Sequence, residues 1–307
     1  MLSRVAETLY WTARYVERAE NVARLVNVNN LLLMDLPKGV SPGWEPLIDI
    51  TGSREAYNQL YDDFSERNVL RFLTIDERNS SSVFNSLRSA RDNTRTVREV
   101  VPRQVWEVIN GIYNATKERP EDLLNPRLRF NRLSKIVDSA LLFFGALDAS
   151  MSHNHFYRFT RFGSILERAD MTSRIIDVRY SVKTDDLESK SFENIKWISV
   201  LRSLSAYQMY RQQMGVRIKP QDVLKFLLLS PEFPRSVLFC VNHLKTLMVR
   251  VPNNELMLER IDHSISELLL QNIGSLKGQY LHDYIDELQI DLADIHNQLS
   301  KQYFLQS

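Results

Sequence analysis

The chain has 307 residues, 44% hydrophobic and 25% charged, with 39 Lys and Arg against 38 Asp and Glu for a formal net charge of +1. This balance offers nucleic acid no general attraction, and the longest apolar run, residues 140–147, is too short to cross a bilayer. Nine glycines and ten prolines favour long helices over many short strands, and a single cysteine, Cys240, excludes an intrachain disulfide and suits a reducing cytoplasm.

The N-terminal stretch carries Arg4 and Glu7 and lacks the apolar core of a secretory signal, so a soluble, cytoplasmic protein is expected. The first helix is predicted over residues 3–34, where Val5, Leu9, Val16, Ala23 and Val26 recur at three- and four-residue steps without Gly or Pro. Within it lies the segment 15–28, YVERAENVARLVNV. At about 100° per residue, Glu17, Asn21 and Arg24 share a polar stripe with Arg14 beside it, whereas Arg18 projects among Trp11, Val22 and Leu25. An unpaired guanidinium on an apolar flank is costly, so an anionic group is expected to meet Arg18.

Residues 35–53, with three prolines and three glycines, read as a long loop that covers a cleft with Trp44 as its anchor. Short helices are predicted over 54–64 and 67–73, and Ser80-Ser81-Ser82 signals the start of the next. That helix carries Arg88, Arg91, Arg95 and Arg98 on one face, either a solvated row or an anion-binding one aimed at phosphate or an acidic partner. Pro102 breaks it, and Trp106, Ile109 and Tyr113 continue an apolar face beyond.

The most apolar helix, predicted over 133–151, is expected to be central. Residues 154–180 form the next helix and repeat the opening pattern. Setting residues 17–28 against 167–178 without a gap, Glu17/Glu167, Arg18/Arg168, Ala19/Ala169, Arg24/Arg174 and Val28/Val178 are identical. We read this as an internal duplication, giving halves 1–152 and 153–307 packed as one compact unit. Residues 183–191 read as a charged surface connection. Helices follow over 197–214, from Pro220 to 229, and over 235–249, 254–271 and 278–303. No period-2 alternation is sustained, so the fold class is all-α.

Glycine-rich nucleotide motifs, HExxH, CxxC and a nucleophile-elbow serine are all lacking. His153 and His155 point about 200° apart on a helix, and His263, His282 and His296 lack the Glu-x-x-His pairing of di-iron bundles, so no metal site is expected. Cys240, within an apolar run, reads as a buried structural thiol. Glu20–Arg24 and Asp170–Arg174 are i,i+4 pairs worth roughly 0.2–0.5 kcal/mol each on an exposed helix.

Two readings of the Glu-Arg pairs remain open. In one they clamp helices together. In the other they line a shared cleft where Arg14, Arg18, Arg24, Arg168 and Arg174 hold a carboxylate or phosphate, with Arg235 at the same cleft and Arg91 and Arg95 on the arginine-rich helix as further anion-binding candidates. Were the chain an enzyme in its own right, Glu17 or Glu167 would be its general acid or base.

Several segments together resemble the bacterial alpha-E family, all-helical proteins with a repeated Glu-Arg motif. These are the opening MLSRVAETLYWTARYVERAENVARLVNV; Ala90–Arg98 with Trp106 and Asn110; FYRF at 156–159 with LERADMTSRIIDVRY at 166–180; RSLSAY at 202–207; and FPRSVLFCVNHL at 233–244. The family's Gly-Arg before each Glu-Arg turn reads here as Ala13-Arg14 and Gly163-Ser164. The resemblance implies a circularly permuted ATP-grasp protein as partner, often with a transglutaminase-like protein nearby. It thus implies a helical accessory role in a peptide- or amide-bond-forming system, with any ATP and magnesium carried by the partner.

Overall fold

A computed structural model describes residues 2–36, 42–181 and 193–304. Among them the regular elements are helical and no strand occurs, so the fold is all-α. In chain order they are α1 (Leu2–Asp35), α2 (Pro46–Ile50), α3 (Arg54–Asn58), α4 (Glu66–Thr74), α5 (Val83–Thr96), α6 (Arg103–Glu118), α7 (Arg129–Ser150) and α8 (His155–Ser181). After residues outside the described part come α9 (Glu193–Ser203), α10 (Tyr207–Met214), α11 (Pro220–Leu229), α12 (Val237–Met248), α13 (Glu255–Leu270) and α14 (Gln279–Leu299), which runs into a π-helical turn, Ser300–Phe304. The predicted connection at 183–191 lies outside the described residues.

Local chemistry sets many of these limits. Ser82 caps α5, its hydroxyl accepting the Asn85 N–H at 3.3 Å, and Ser236 caps α12 by accepting from Phe239 at 3.1 Å. Pro46 and Pro220 open α2 and α11, where a missing N–H costs nothing. Elsewhere the sequence expectation needs correcting. Residues 42–53 are no open loop: α2 is packed, with Leu47, Ile48 and Ile50 fully buried beside buried Trp44. The helix expected over 197–214 is two, separated at Ser205, whose φ of 52° breaks the helical path. α5 ends at Thr96, so Arg98 lies beyond it rather than in a four-arginine helical row. α7 is apolar on both sides but buried on one, with Leu141 and Leu142 exposed to solvent.

The chain forms two compact units, residues 1–27, 53–167 and 300–307 in the first and residues 28–52 and 168–299 in the second. They interleave along the chain and change over inside α1 and inside α8, whereas the sequence reading put one half after the other at 152/153.

In the first unit α5 packs on α6 and α6 on α7. The α1–α8 approach is set by Gly163. A Cβ built there would lie 2.2 Å from the Tyr10 carbonyl oxygen, so only glycine allows the two backbones this close. Phe304 packs on Tyr10 (5.3 Å between ring centroids) and on Phe159 (5.8 Å), covering the same crossing with the π-helical turn. In the second unit α13 packs on both α12 and α14, and Cys240 is buried with its Sγ 3.5 Å from the Pro234 carbonyl, as a structural thiol would be.

Replacing Gly163 by Ala is expected to destabilise the protein by about 1–3 kcal/mol through overpacking. Gly111→Ala, where the new Cβ meets nothing within 4 Å, is expected to stabilise it by about 0.5–1 kcal/mol. Urea titrations of the two variants check the pair, and equal behaviour would contradict the close crossing.

Candidate functional site

One helical turn beyond Gly163, Glu167 enters the first unit with its side chain 4% exposed. Two guanidiniums from α1 close on it. Arg18 donates from Nε to Oε1 at 2.6 Å and from Nη2 to Oε2 at 3.1 Å, a bidentate fork. Arg14 donates from Nε to Oε2 at 2.7 Å and from Nη1 to the Tyr10 hydroxyl at 3.0 Å. Arg14 also lies over the rings of Tyr10 and Trp11, and Arg18 over that of Tyr15, with Nη1 3.5 Å from the Ser81 hydroxyl. Arg18 is the more open of the two, 22% exposed against 12%.

The electrostatics follow from this stoichiometry. Burial opposes ionisation of Glu167, but Arg18 and then Arg14 outweigh it and hold the carboxyl at about 2. Glu167 in turn raises Arg18, and burial pushes the Tyr10 phenol up to about 12 despite Arg14. The two guanidiniums thus share the Glu167 carboxylate.

The remaining sequence candidates fall in several places. Glu17 is buried on α1 in the first unit. Arg24 pairs with Glu20, as its i,i+4 spacing suggested, but Glu20 is buried rather than on an exposed face. Arg91, on the α5 surface, donates to Asn110 Oδ1 and to Asp92 Oδ1, both at 2.9 Å, and lies over Trp106 and Tyr113; Arg95 is exposed.

Arg168, Arg174 and Arg235 belong to the second unit. Arg174 donates from Nε to Asp170 at 2.9 Å and passes over Gly52, where a Cβ would sit 2.8 Å from its Nη1. Arg235 is buried just before the α12 cap, and its carbonyl accepts the Thr172 hydroxyl at 3.0 Å.

A cluster that sequence reasoning missed also lies in the second unit. His282 Nδ1 is 2.6 Å from Asp177 Oδ1, and its Nε2 is 3.6 Å from Asp286 Oδ2. The hydrogen bond to Asp177 raises His282 above the ordinary imidazole range, while burial raises Asp177. Asp177 stands 105 residues from His282, and the His-x-x-x-Asp spacing differs from the Glu-x-x-His pairing of di-iron bundles. His153 and His155, by contrast, are exposed, with His153 stacked on Tyr157.

Residues 1–304 match a family described as a predicted alpha-helical domain with a conserved ER motif. The chain belongs to the Alpha-E family. It is similar to an uncharacterised protein of Mycobacterium bovis, 21% identical over 324 residues that cover 96% of this chain and 35% of the relative. An uncharacterised protein of Mycobacterium tuberculosis strain H37Rv is 20% identical over the same shares. The chain thus spans about a third of the length of the curated relatives it matches. No solved structure matches. In this Alpha-E chain the two Glu-Arg motifs are not independent: the arginine of the first, Arg18, binds the glutamate of the second, Glu167.

A carboxyl held at about 2, against 4.5 for an ordinary glutamic acid, contributes stability that is fully present above pH 4.5 and lost as pH falls toward 2. The loss is expected to be on the order of 3 kcal/mol. Glu167→Gln is expected to be less stable at pH 7 yet to lack this acid-linked loss. Equal pH slopes for the two proteins between pH 5 and 2 (about the range over which such a group titrates) would count against the buried carboxylate.

Proposed function

We propose that this Alpha-E chain is a cytoplasmic helical accessory module of an ATP-grasp-associated peptide- or amide-bond-forming system, and that it binds an anionic group of the peptide-like substrate or of the ligase at Arg18. The observation that carries this reading is Arg18 itself, oriented by a bidentate bond to the buried Glu167 and yet 22% exposed. Arg18 spends Nε and one Nη2 hydrogen on Glu167, and it retains the more open face, flanked by the Ser81 hydroxyl and the Tyr15 ring. A carboxylate or phosphate there would meet the remaining Arg18 donors through charge-assisted hydrogen bonds. The mycobacterial relatives, in which the matched segment is about a third of a longer chain, support a module that works with other domains. The ATP-grasp partner, and a transglutaminase-like protein beside it, come from the family resemblance; nucleotide and magnesium are assigned to that partner.

The cluster gives less support to an enzyme that uses Glu167 as acid or base. A carboxylate bound at both oxygens and ionised far below neutrality neither donates a proton at pH 7 nor readily accepts one. The clamp reading has its own support in the bidentate fork, which ties α1 to α8 whether or not a ligand binds.

Arg18→Lys separates recognition from clamping. It keeps the charge and loses the fork, so the variant is expected to fold with a modestly lowered melting temperature. Product formation by the reconstituted Alpha-E and ATP-grasp pair, followed by mass spectrometry, is expected to drop at least about tenfold, the equivalent of one lost charge-assisted hydrogen bond. Unchanged product formation would leave Arg18 as a clamp alone.

A further inference from the structure

The second unit holds a cluster that the Arg18 reading does not use. Asp177 comes from α8, and His282 and Asp286 lie one turn apart on α14, so the last two project from the same side of their helix. One donor atom from each of the three can be chosen so that all lie within 4.8 Å of one another.

We propose that Asp177, His282 and Asp286 form a site for a divalent transition-metal ion. His282 Nε2 and an Asp286 carboxylate oxygen are the direct ligands, and Asp177 is a positioning residue that holds the imidazole through Nδ1. The 2.6 Å contact between Nδ1 and Asp177 Oδ1 takes the ring proton on that side and leaves the Nε2 lone pair facing Asp286. Nε2 and Asp286 Oδ2 are 3.6 Å apart. That gap is too wide for a hydrogen bond. Two ligands each about 2.0–2.2 Å from a shared ion span such a gap. The charge points the same way, since two carboxylates face one imidazole.

His282 and Asp286 are 39% and 53% exposed, so an ion can enter from solvent and water can complete its coordination. Imidazole with carboxylate suits zinc, cobalt or manganese, whereas magnesium prefers oxygen ligands alone. The proposal stands on geometry separate from the Glu167 cluster and does not depend on the role of Arg18.

The test uses the full chain, stripped with chelator, and zinc titrated calorimetrically with magnesium in parallel. One saturable zinc site is expected, with no comparable magnesium binding. Asp286→Asn, a change at a half-exposed position that is expected to leave helicity intact by circular dichroism, should abolish the site, as should His282→Ala. Asp177→Asn should weaken binding about 10–100-fold, the usual cost of losing a group that orients a ligating histidine. Cobalt added in place of zinc should give a visible absorption band that Asp286→Asn removes. Absence of a saturable zinc site, or unchanged zinc affinity in the folded Asp286→Asn variant, would overturn the proposal and leave a plain carboxylate–imidazole ion bridge.

Discussion

The first unit depends on one buried anion meeting two cations. A lone Glu167 carboxylate, 4% exposed, would be driven toward its neutral form by desolvation. Arg18 and Arg14 reverse that outcome at contacts of 2.6–3.1 Å, and they do so only because α1 and α8 lie unusually close. Gly163 supplies that closeness one turn before Glu167, and the Tyr10 hydroxyl, accepting from Arg14, ties the cluster back to the residue whose carbonyl Gly163 approaches. Backbone approach, buried charge and aromatic cover are therefore one constraint. Breaking a buried pair of this kind leaves an uncompensated charge, which costs about 3–5 kcal/mol.

The second Glu-Arg segment is solved differently. Arg174 pairs with Asp170 on its own helix at partial exposure, and its Nη1 passes 2.8 Å from where a Cβ would stand on Gly52, which sits in a left-handed turn at φ 63°. Where α1 has Arg14, α8 has Ser164, whose hydroxyl bonds the Arg161 carbonyl within the same helix.

Much of this was legible in sequence because helices write their packing face every three to four residues. The α1 limits, the Ser82 cap and Pro220 at the start of α11 all follow from local chemistry. So does the need for an anion at Arg18, since its position on an apolar flank is a property of one helix. The anion's identity was not legible: Glu167 lies 149 residues away, and nothing local distinguishes it from Glu17. Trp44 could be seen as an anchor, but the α2 turn beside it, sited among prolines and glycines, took its structure from burial of Leu47, Ile48 and Ile50. The Asp177–His282 contact was missed for the reason Glu167 was. Ligand spacings are readable in sequence only when short, and this pair joins two helices far apart in the chain.

The chemistry open to the first cluster is narrowed by the same stoichiometry that builds it. A glutamate fixed in its ionised form is unsuited to shuttling protons, because both states must be accessible near the working pH. An arginine bound along one edge to a buried carboxylate is suited to attracting an anion, because its charge is permanent and its remaining donors are already oriented by the bonds it makes. Preorganisation of that kind lowers the entropic cost of binding but supplies no reactive group. The burial of Glu167 is what keeps Arg18 in place, since the bidentate bond fixes the guanidinium plane from one edge.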